Sequence, residues 1–343
     1  MTLRITYGPW GETLEEMTAA GVAAERAGAE VLWVPELHRS ATISAAALAA
    51  ATEQAQIGTA IALAFTRSPM VTALEAMDLD EMTNGRFILG LGSGVQRLNE
   101  LWHNARWGKP VGHMRETVRN IRTFIAQAGT GSPIALDGDY EPMNIKGYER
   151  PFHQTRKEIP IYLGAMGPAM TKLVGEIGDG WISHELCSPQ YLRDLLVPWL
   201  NEGADRVGRQ HESVDVVVSA LCSVDGDGAR ARRWAAGTVG FYASVKTYED
   251  FFDFHGLKRE QGVVIEKFRE GIGADYLGDY VPDHMVDGLT LAGTPEEVMA
   301  RIAEYDGVAT TVKLTPPTHG LAAEDTRKSQ EQIIKMIADM QGR

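Results

Sequence analysis

Two cysteines, Cys187 and Cys222, are all that the 343 residues contain. They are too few for a disulfide framework and lack the clustered spacing of a zinc site, so both are expected to be core thiols, with no metal centre. No apolar run approaches the roughly 20 residues of a membrane span, and the opening "MTLRITYGPWGET" has no signal-peptide apolar stretch. The expectation is a cytoplasmic protein with no membrane partner. Positive charge is scarce too: 46 acidic residues face 33 basic ones, and the formal net charge of -13 repels a nucleic-acid backbone. Nucleic acid is therefore excluded as a partner. Internal repeats, low-complexity segments and Pro/Ser-rich linkers are missing, so nothing marks a domain boundary.

What is present is an ordinary globular composition, 44% hydrophobic and 23% charged. The length exceeds the usual domain, yet α/β barrels with insertions reach it as one domain, and a single domain over 1–343 is expected. Short β-branched runs alternate with helical stretches. "RITYG" (4–8), "EVLWVPE" (30–36), "IGTAIALAF" (57–65) and "RFILGLGSG" (86–94) read as strands, and the fourth is followed by a helix over 114–128. "IPIYLGAMG" (159–167), "GWIS" (180–183), "VDVVVSALCSV" (214–224) and "TTVKLTP" (310–316) complete eight, with a helix near 189–203. Eight strands with intervening helices predict a (β/α)8 TIM barrel, although an open doubly wound sheet shows the same alternation. Two stretches exceed a minimal barrel, about 95–113 after strand four and about 226–292 after strand seven. Insertions there fall on the C-terminal rim, where barrel chemistry sits.

Two glycine-bearing stretches follow strands. In "GLGSG" (90–94) the glycines permit positive φ and close backbone approach. The pattern is not the six-residue dinucleotide fingerprint, because Gln96 and Arg97 follow where a helix should open, and it favours a structural turn. In "GAMGPAMTKL" (164–173), Pro168 at the first turn of a helix after a strand presents free amides, an arrangement that favours phosphate.

These stretches resemble the luciferase-like monooxygenase superfamily, and within it the oxidoreductase branch that depends on the deazaflavin coenzyme F420. Residues 57–94 resemble the family's third strand, third helix and fourth strand, and 160–182 its cofactor-phosphate segment. The resemblance implies a barrel, a cofactor ring across the strand ends and hydride transfer. It places a cis peptide between Ala60 and Ile61 in a bulge of strand three, supporting the ring. It assigns the phosphate to Gly164, Ala165, Met166, Gly167, Pro168 and Ala169, with Ser93 and Asn99 near the ring edge or polar chain. Family members often carry an acidic residue followed by His after strand two; here Glu36 and His38 are separated by Leu37, and they are the candidate catalytic pair, His38 as proton donor. The rival for His38 is a plain surface histidine.

Substrate specificity is read from the same comparison. A glutamate found in the sugar-phosphate dehydrogenases of this branch is replaced by Val95, which argues against sugar-phosphate oxidation. Trp10, Trp102, His103 and Trp107 are candidate walls of the substrate pocket, with core packing as the rival. Arg39, Arg67 and Arg97 are scattered, whereas Phe241, Tyr242, Phe251, Phe252 and Phe254 fall in the second insertion. An uncharged, fairly apolar small-molecule substrate is expected. An FMN-dependent two-component monooxygenase of the same superfamily is the alternative, disfavoured because Ser93 stands where luciferases carry an FMN-phosphate arginine. A non-catalytic flavin-binding barrel is the third reading. A functional partner that reduces F420 or flavin is expected, and a homodimer is left open.

Overall fold

The computed structural model describes residues 3–342. The chain folds as a (β/α)8 barrel, its eight parallel strands alternating with helices. Internal packing divides it into two compact units that interleave in sequence. The first comprises Met1–Glu30, Ser183–Val197 and Val217–Arg343; the second comprises Val31–Ile182 and Pro198–Val216.

In the first unit, parallel strands run in the order Leu291–Gly293, Asp215–Val224, Thr311–Thr315, Arg4–Tyr7. The long strand divides its pairing: Val217–Leu221 lie beside Thr311–Thr315, and Cys222–Val224 beside Leu291–Gly293. The three-residue strand Leu291–Gly293, at the end of the second insertion, is one that the sequence does not predict. Helix Leu14–Ala27 begins where Thr13 accepts from the Glu16 amide, with Glu15 and Glu16 in the first turn, and ends at Gly28 with φ +105°. Acidic groups at the start of a helix and a left-handed glycine after it are the expected terminators. A buried polar latch fixes strand one to helix Ala323–Met340: the Tyr7 hydroxyl and the Trp10 amide both donate to Gln330 Oε1 at 2.9 Å. Cys187 and Cys222 are buried free thiols. Burial pushes the Cys187 thiol up to about 12.

In the second unit the order is Val31–Val34, Gln56–Thr59, Phe87–Gly92, Ile161–Gly164, Gly180–Ile182, all parallel. Leu32, Trp33, Ile57, Phe87, Leu89, Leu91 and Leu163 are fully or nearly fully buried. This accounts for runs that are apolar throughout and not alternating. The run 57–65 is not one strand but two, Gln56–Thr59 and Ala62–Leu63, separated by Ala60–Ile61, whose peptide bond is cis. The helix expected from 114 begins at Pro110, where a missing N–H costs nothing. Within 95–113 lies a π-helix, Leu98–Trp102, and beyond the helix a hairpin, Ile134–Leu136 with Met143–Ile145, that the alternation did not reveal. Among the described residues no helix is long and apolar enough to cross a membrane.

Close backbone approach sets the spacing between Gln56–Thr59 and Phe87–Gly92. Thr59 Oγ1 donates to the Gly90 carbonyl at 2.7 Å and accepts from the Gly90 amide at 2.9 Å. A Cβ on Gly90 would stand 1.8 Å from the Thr59 carbonyl oxygen, which cannot move without parting the strands. Gly90→Ala is expected to cost about 3 kcal/mol or more in urea unfolding, the upper range for overpacking. A loss below about 1 kcal/mol would show that the strands yield.

Candidate functional site

The bulge in strand three decides what the strand ends of the second unit present. The Ala60 amide donates to Val34 O at 2.8 Å, and the Glu36 amide to Ile61 O at 3.0 Å, so the backbone is held on one side by the end of strand two. On the other side the Ile61 side chain fills space that two glycines leave: an added Cβ would meet Ile61 Cγ1 at 2.7 Å from Gly92 and Cγ2 at 3.1 Å from Gly164. Ala60 and Ile61 themselves are only half-buried, which leaves a face of the bulge open to a ligand.

Glu36 belongs to this support. Its carboxylate accepts from the Leu63 amide at 2.8 Å and is ion-paired with Arg67, which also reaches Glu75. Burial pushes the Glu36 carboxyl up, but the Arg67 guanidinium and the Leu63 amide outweigh it, and the group sits below the usual carboxylate range. Glu36 therefore stays ionised and pins the residues around the cis bond. Sequence reasoning noted Arg67 only as a stray cation; its distance in sequence from Glu36 hid the pair.

The segment expected from sequence to meet phosphate begins where strand Ile161–Gly164 ends. Ala165 is buried, its amide on Ile182 O and its carbonyl accepting from the Trp181 indole at 3.0 Å. Gly167, Pro168 and Ala169 are exposed. Gly167 is the N-cap of helix Pro168–Ile177, and no side chain caps that end. Elsewhere Thr13, Ser40, Ser68 and Thr294 supply the missing acceptor. Uncapped first-turn amides with the positive end of the helix dipole form an anion-binding surface. Beside Pro168 and Ala169 lies a hollow of about 370 Å³, lined also by Arg115, Lys172 and Arg206. These cations are held by Glu176 and Glu202.

The other candidates are placed as follows. Asn99 is fully buried; its Nδ2 donates to the carbonyls of Ser93 (2.7 Å) and Val95 (3.0 Å), while Oδ1 has no protein partner. Asn99 thus shapes the loop whose Gly94 takes φ +63°, and Ser93 lies at the half-buried edge. His38 is exposed. Val95 and Trp102 are also exposed, 59% and 69%. Trp107 packs edge-on to Phe65 with centroids 5.7 Å apart, and Phe65 stacks on His113 at 3.8 Å. Trp10, in the first unit, is latched to Gln330 through its backbone and lies under Arg327. Phe251 and Phe252 do not line a wall: both are buried, with Phe251 packed on Tyr191 and His255 in the first unit.

These elements match known proteins. The family described as luciferase-like monooxygenase matches residues 3–311. The chain belongs to the luciferase-like monooxygenase family. It is 29% identical over 343 residues to a 5,10-methylenetetrahydromethanopterin reductase of Methanolobus tindarius, covering 98% of each. Among solved structures, the coenzyme F420-dependent tetrahydromethanopterin reductase of Methanopyrus kandleri matches with a TM-score of 0.81 at 22% identity, over 97% of this chain and 99% of that one. An F420-dependent secondary alcohol dehydrogenase holding an F420–acetone adduct matches at 0.74 and 19%, over 98% and 99%. Both structural likenesses carry the fold. The open amide face at Gly167–Ala169 and the half-exposed bulge fit a phosphate-bearing flavin-type cofactor.

Sequence reasoning missed His184, Glu185 and Lys313 in the first unit, which form a polar cluster with Tyr242. Two signals pointed to it: a His–Glu pair directly after the strand "GWIS", and a lysine inside an otherwise apolar strand.

Because the folded Glu36 carboxyl is depressed, its contribution to stability is present above the unfolded carboxylate range and is lost as pH falls through the folded value. Glu36→Gln should cost about 2 kcal/mol at pH 7, typical of a hydrogen bond to a charged group, and the gap from the parent should close in acid. Parallel urea-unfolding curves from pH 7 to pH 3 measure it. A gap that stays constant with pH would show that the charge on Glu36 contributes nothing.

Proposed function

We propose that the chain is a coenzyme F420-dependent oxidoreductase that transfers a hydride between the deazaflavin C5 and a small, uncharged, largely apolar organic substrate. The observation that carries this is the uncapped amide face of helix Pro168–Ile177, which opens directly after a barrel strand and beside the Ala60–Ile61 bulge's glycine neighbour Gly164. The cofactors named for the matching structures, a methanopterin reductase and a secondary alcohol dehydrogenase, support the choice of F420.

When bound, the deazaflavin supplies a carbon that gives or takes two electrons as hydride. The chain's own residues bind and orient it. Amides of Ala169 and Met170 meet the phosphate, the Ala60–Ile61 backbone supports the ring, and the Glu36–Arg67 pair holds that backbone in place. Holding donor and acceptor carbons in line is the larger share of what such a protein contributes. His38, exposed and imidazole-bearing, is the proton source. A dianionic substrate phosphate would need clustered cations, and Arg67 is already neutralised by Glu36. This supports an uncharged substrate, and Val95 in place of an acidic residue supports the exclusion of sugar phosphates.

Gly167→Asp tests the phosphate placement cleanly. Gly167 has φ -86°, a Cβ there would meet nothing within 4 Å, and Asp is a favourable N-cap, so the variant should fold as well as the parent. Its carboxylate would take the amides and repel the phosphate. F420 affinity is expected to fall about 100-fold, some 2.7 kcal/mol, with the melting temperature unchanged or higher. Parent-like affinity would put the phosphate elsewhere. His38→Ala should leave F420 binding intact and lower kcat by about 100-fold, within the usual range for a general acid. Unchanged turnover would remove His38 from that role.

A further inference from the structure

Lysine is rarely buried unless paired, yet Lys313 in strand Thr311–Thr315 is 4% exposed. Its direction follows from register. Tyr7 reaches Gln330 on helix Ala323–Met340, so that face of the strand is the helix side, and Thr6 points to the opposite face. Lys313 pairs with Thr6 on one neighbour and with Ser219 on the other, and in a parallel sheet it shares their face, away from the helices. Among the described residues its ammonium has no hydrogen bond or ion pair; the charge it feels is that of Glu185. Burial pulls the ammonium's pKa down and Glu185 pushes it back up.

Glu185 is fixed by its neighbours. Its carbonyl accepts from the Leu221 amide at 3.0 Å, and the Tyr242 hydroxyl donates to its Oε2 at 3.4 Å. His184 sits beside it, its ring 4.2 Å from Tyr242 and 4.8 Å from Tyr248. The Leu186 amide donates to His184 Nδ1 at 3.1 Å, so the proton of the neutral ring lies on Nε2. Burial lowers His184 to about 3, so the ring is neutral in use. Its Nε2–H is buried with no protein acceptor. A buried donor left unpaired costs about 1–3 kcal/mol, which a bound acceptor would recover.

We propose that Lys313 and His184 form a donor site of the first unit for the heteroatom of a small ligand, the oxygen of a carbonyl or the nitrogen of an imine, with Glu185 as the counter-charge that holds the ammonium. The set of groups is near neutral and rich in donors, which suits an uncharged acceptor atom and not an anion or a cation. The carbonyl or imine class rests on the hydride chemistry proposed above, because a bond that accepts hydride at carbon gathers negative charge on its heteroatom. An ammonium placed there stabilises that charge. The donor set itself stands without that chemistry.

The test has an arm that needs no cofactor. The full chain is treated at pH 7 with propionaldehyde and cyanoborohydride, and alkylation is read by peptide mass spectrometry. Lys313 should label about tenfold faster than Lys258 and Lys328, which are exposed and ion-paired at the surface. Glu185→Gln should speed labelling of Lys313 further by removing the charge that keeps it protonated. If Lys313 labels no faster than the exposed lysines, no carbonyl reaches it and the proposal fails, whether or not the chain uses F420. In the second arm, Lys313→Met keeps the apolar stem. It should lower kcat/KM for a carbonyl substrate about 100-fold while F420 binding is unchanged. Parent-like turnover with intact cofactor binding would equally overturn it.

Discussion

The second unit depends on one steric constraint, the volume claimed by Ile61 where strand three bulges. A Cβ on Gly92 would run into that side chain, one on Gly164 would press against it, and one on Gly90 would meet the Thr59 carbonyl oxygen of the neighbouring strand. The glycines of "GLGSG" thus answer to neighbouring protein side chains and backbone. Glu36 and Arg67 belong to the same constraint: one carboxylate ties the end of strand two to Leu63 and to the arginine that follows the bulge. Packing, charge and backbone hydrogen bonding converge on the segment proposed to support a cofactor ring, which is the pre-organisation that cofactor enzymes require of their protein.

The two units carry different chemistry. In the second, the proposed cofactor contacts are backbone amides and a half-exposed bulge, and the Glu36–Arg67 pair holds the bulge. In the first, the notable groups are side chains: a buried lysine with a half-buried histidine and tyrosine near Glu185.

Eight barrel strands were legible in the sequence because parallel strands buried on both faces appear as short, continuous apolar runs bounded by glycine and proline. What was illegible was local. The run 57–65 shows no break at Ala60–Ile61, since a bulge changes backbone geometry without changing composition. The strand Leu291–Gly293 and the hairpin Ile134–Leu136 with Met143–Ile145 are three residues each, too short for any periodicity. The aromatic residues of the second insertion suggested a pocket wall, but Phe251 and Phe252 close the core, because composition does not say which face of a helix meets solvent. Lys313 stood in plain view within "TTVKLTP", and only the register with Thr6 and the Tyr7–Gln330 latch tell which way it points.

The central claim, that this barrel is built for a deazaflavin, is tested most directly by fluorescence titration of the purified apo-chain with F420 and with FMN in parallel. Saturable quenching of F420 with FMN at least about tenfold weaker, a difference of about 1.4 kcal/mol, is the predicted result. Tight FMN binding with no saturable F420 binding would contradict the account.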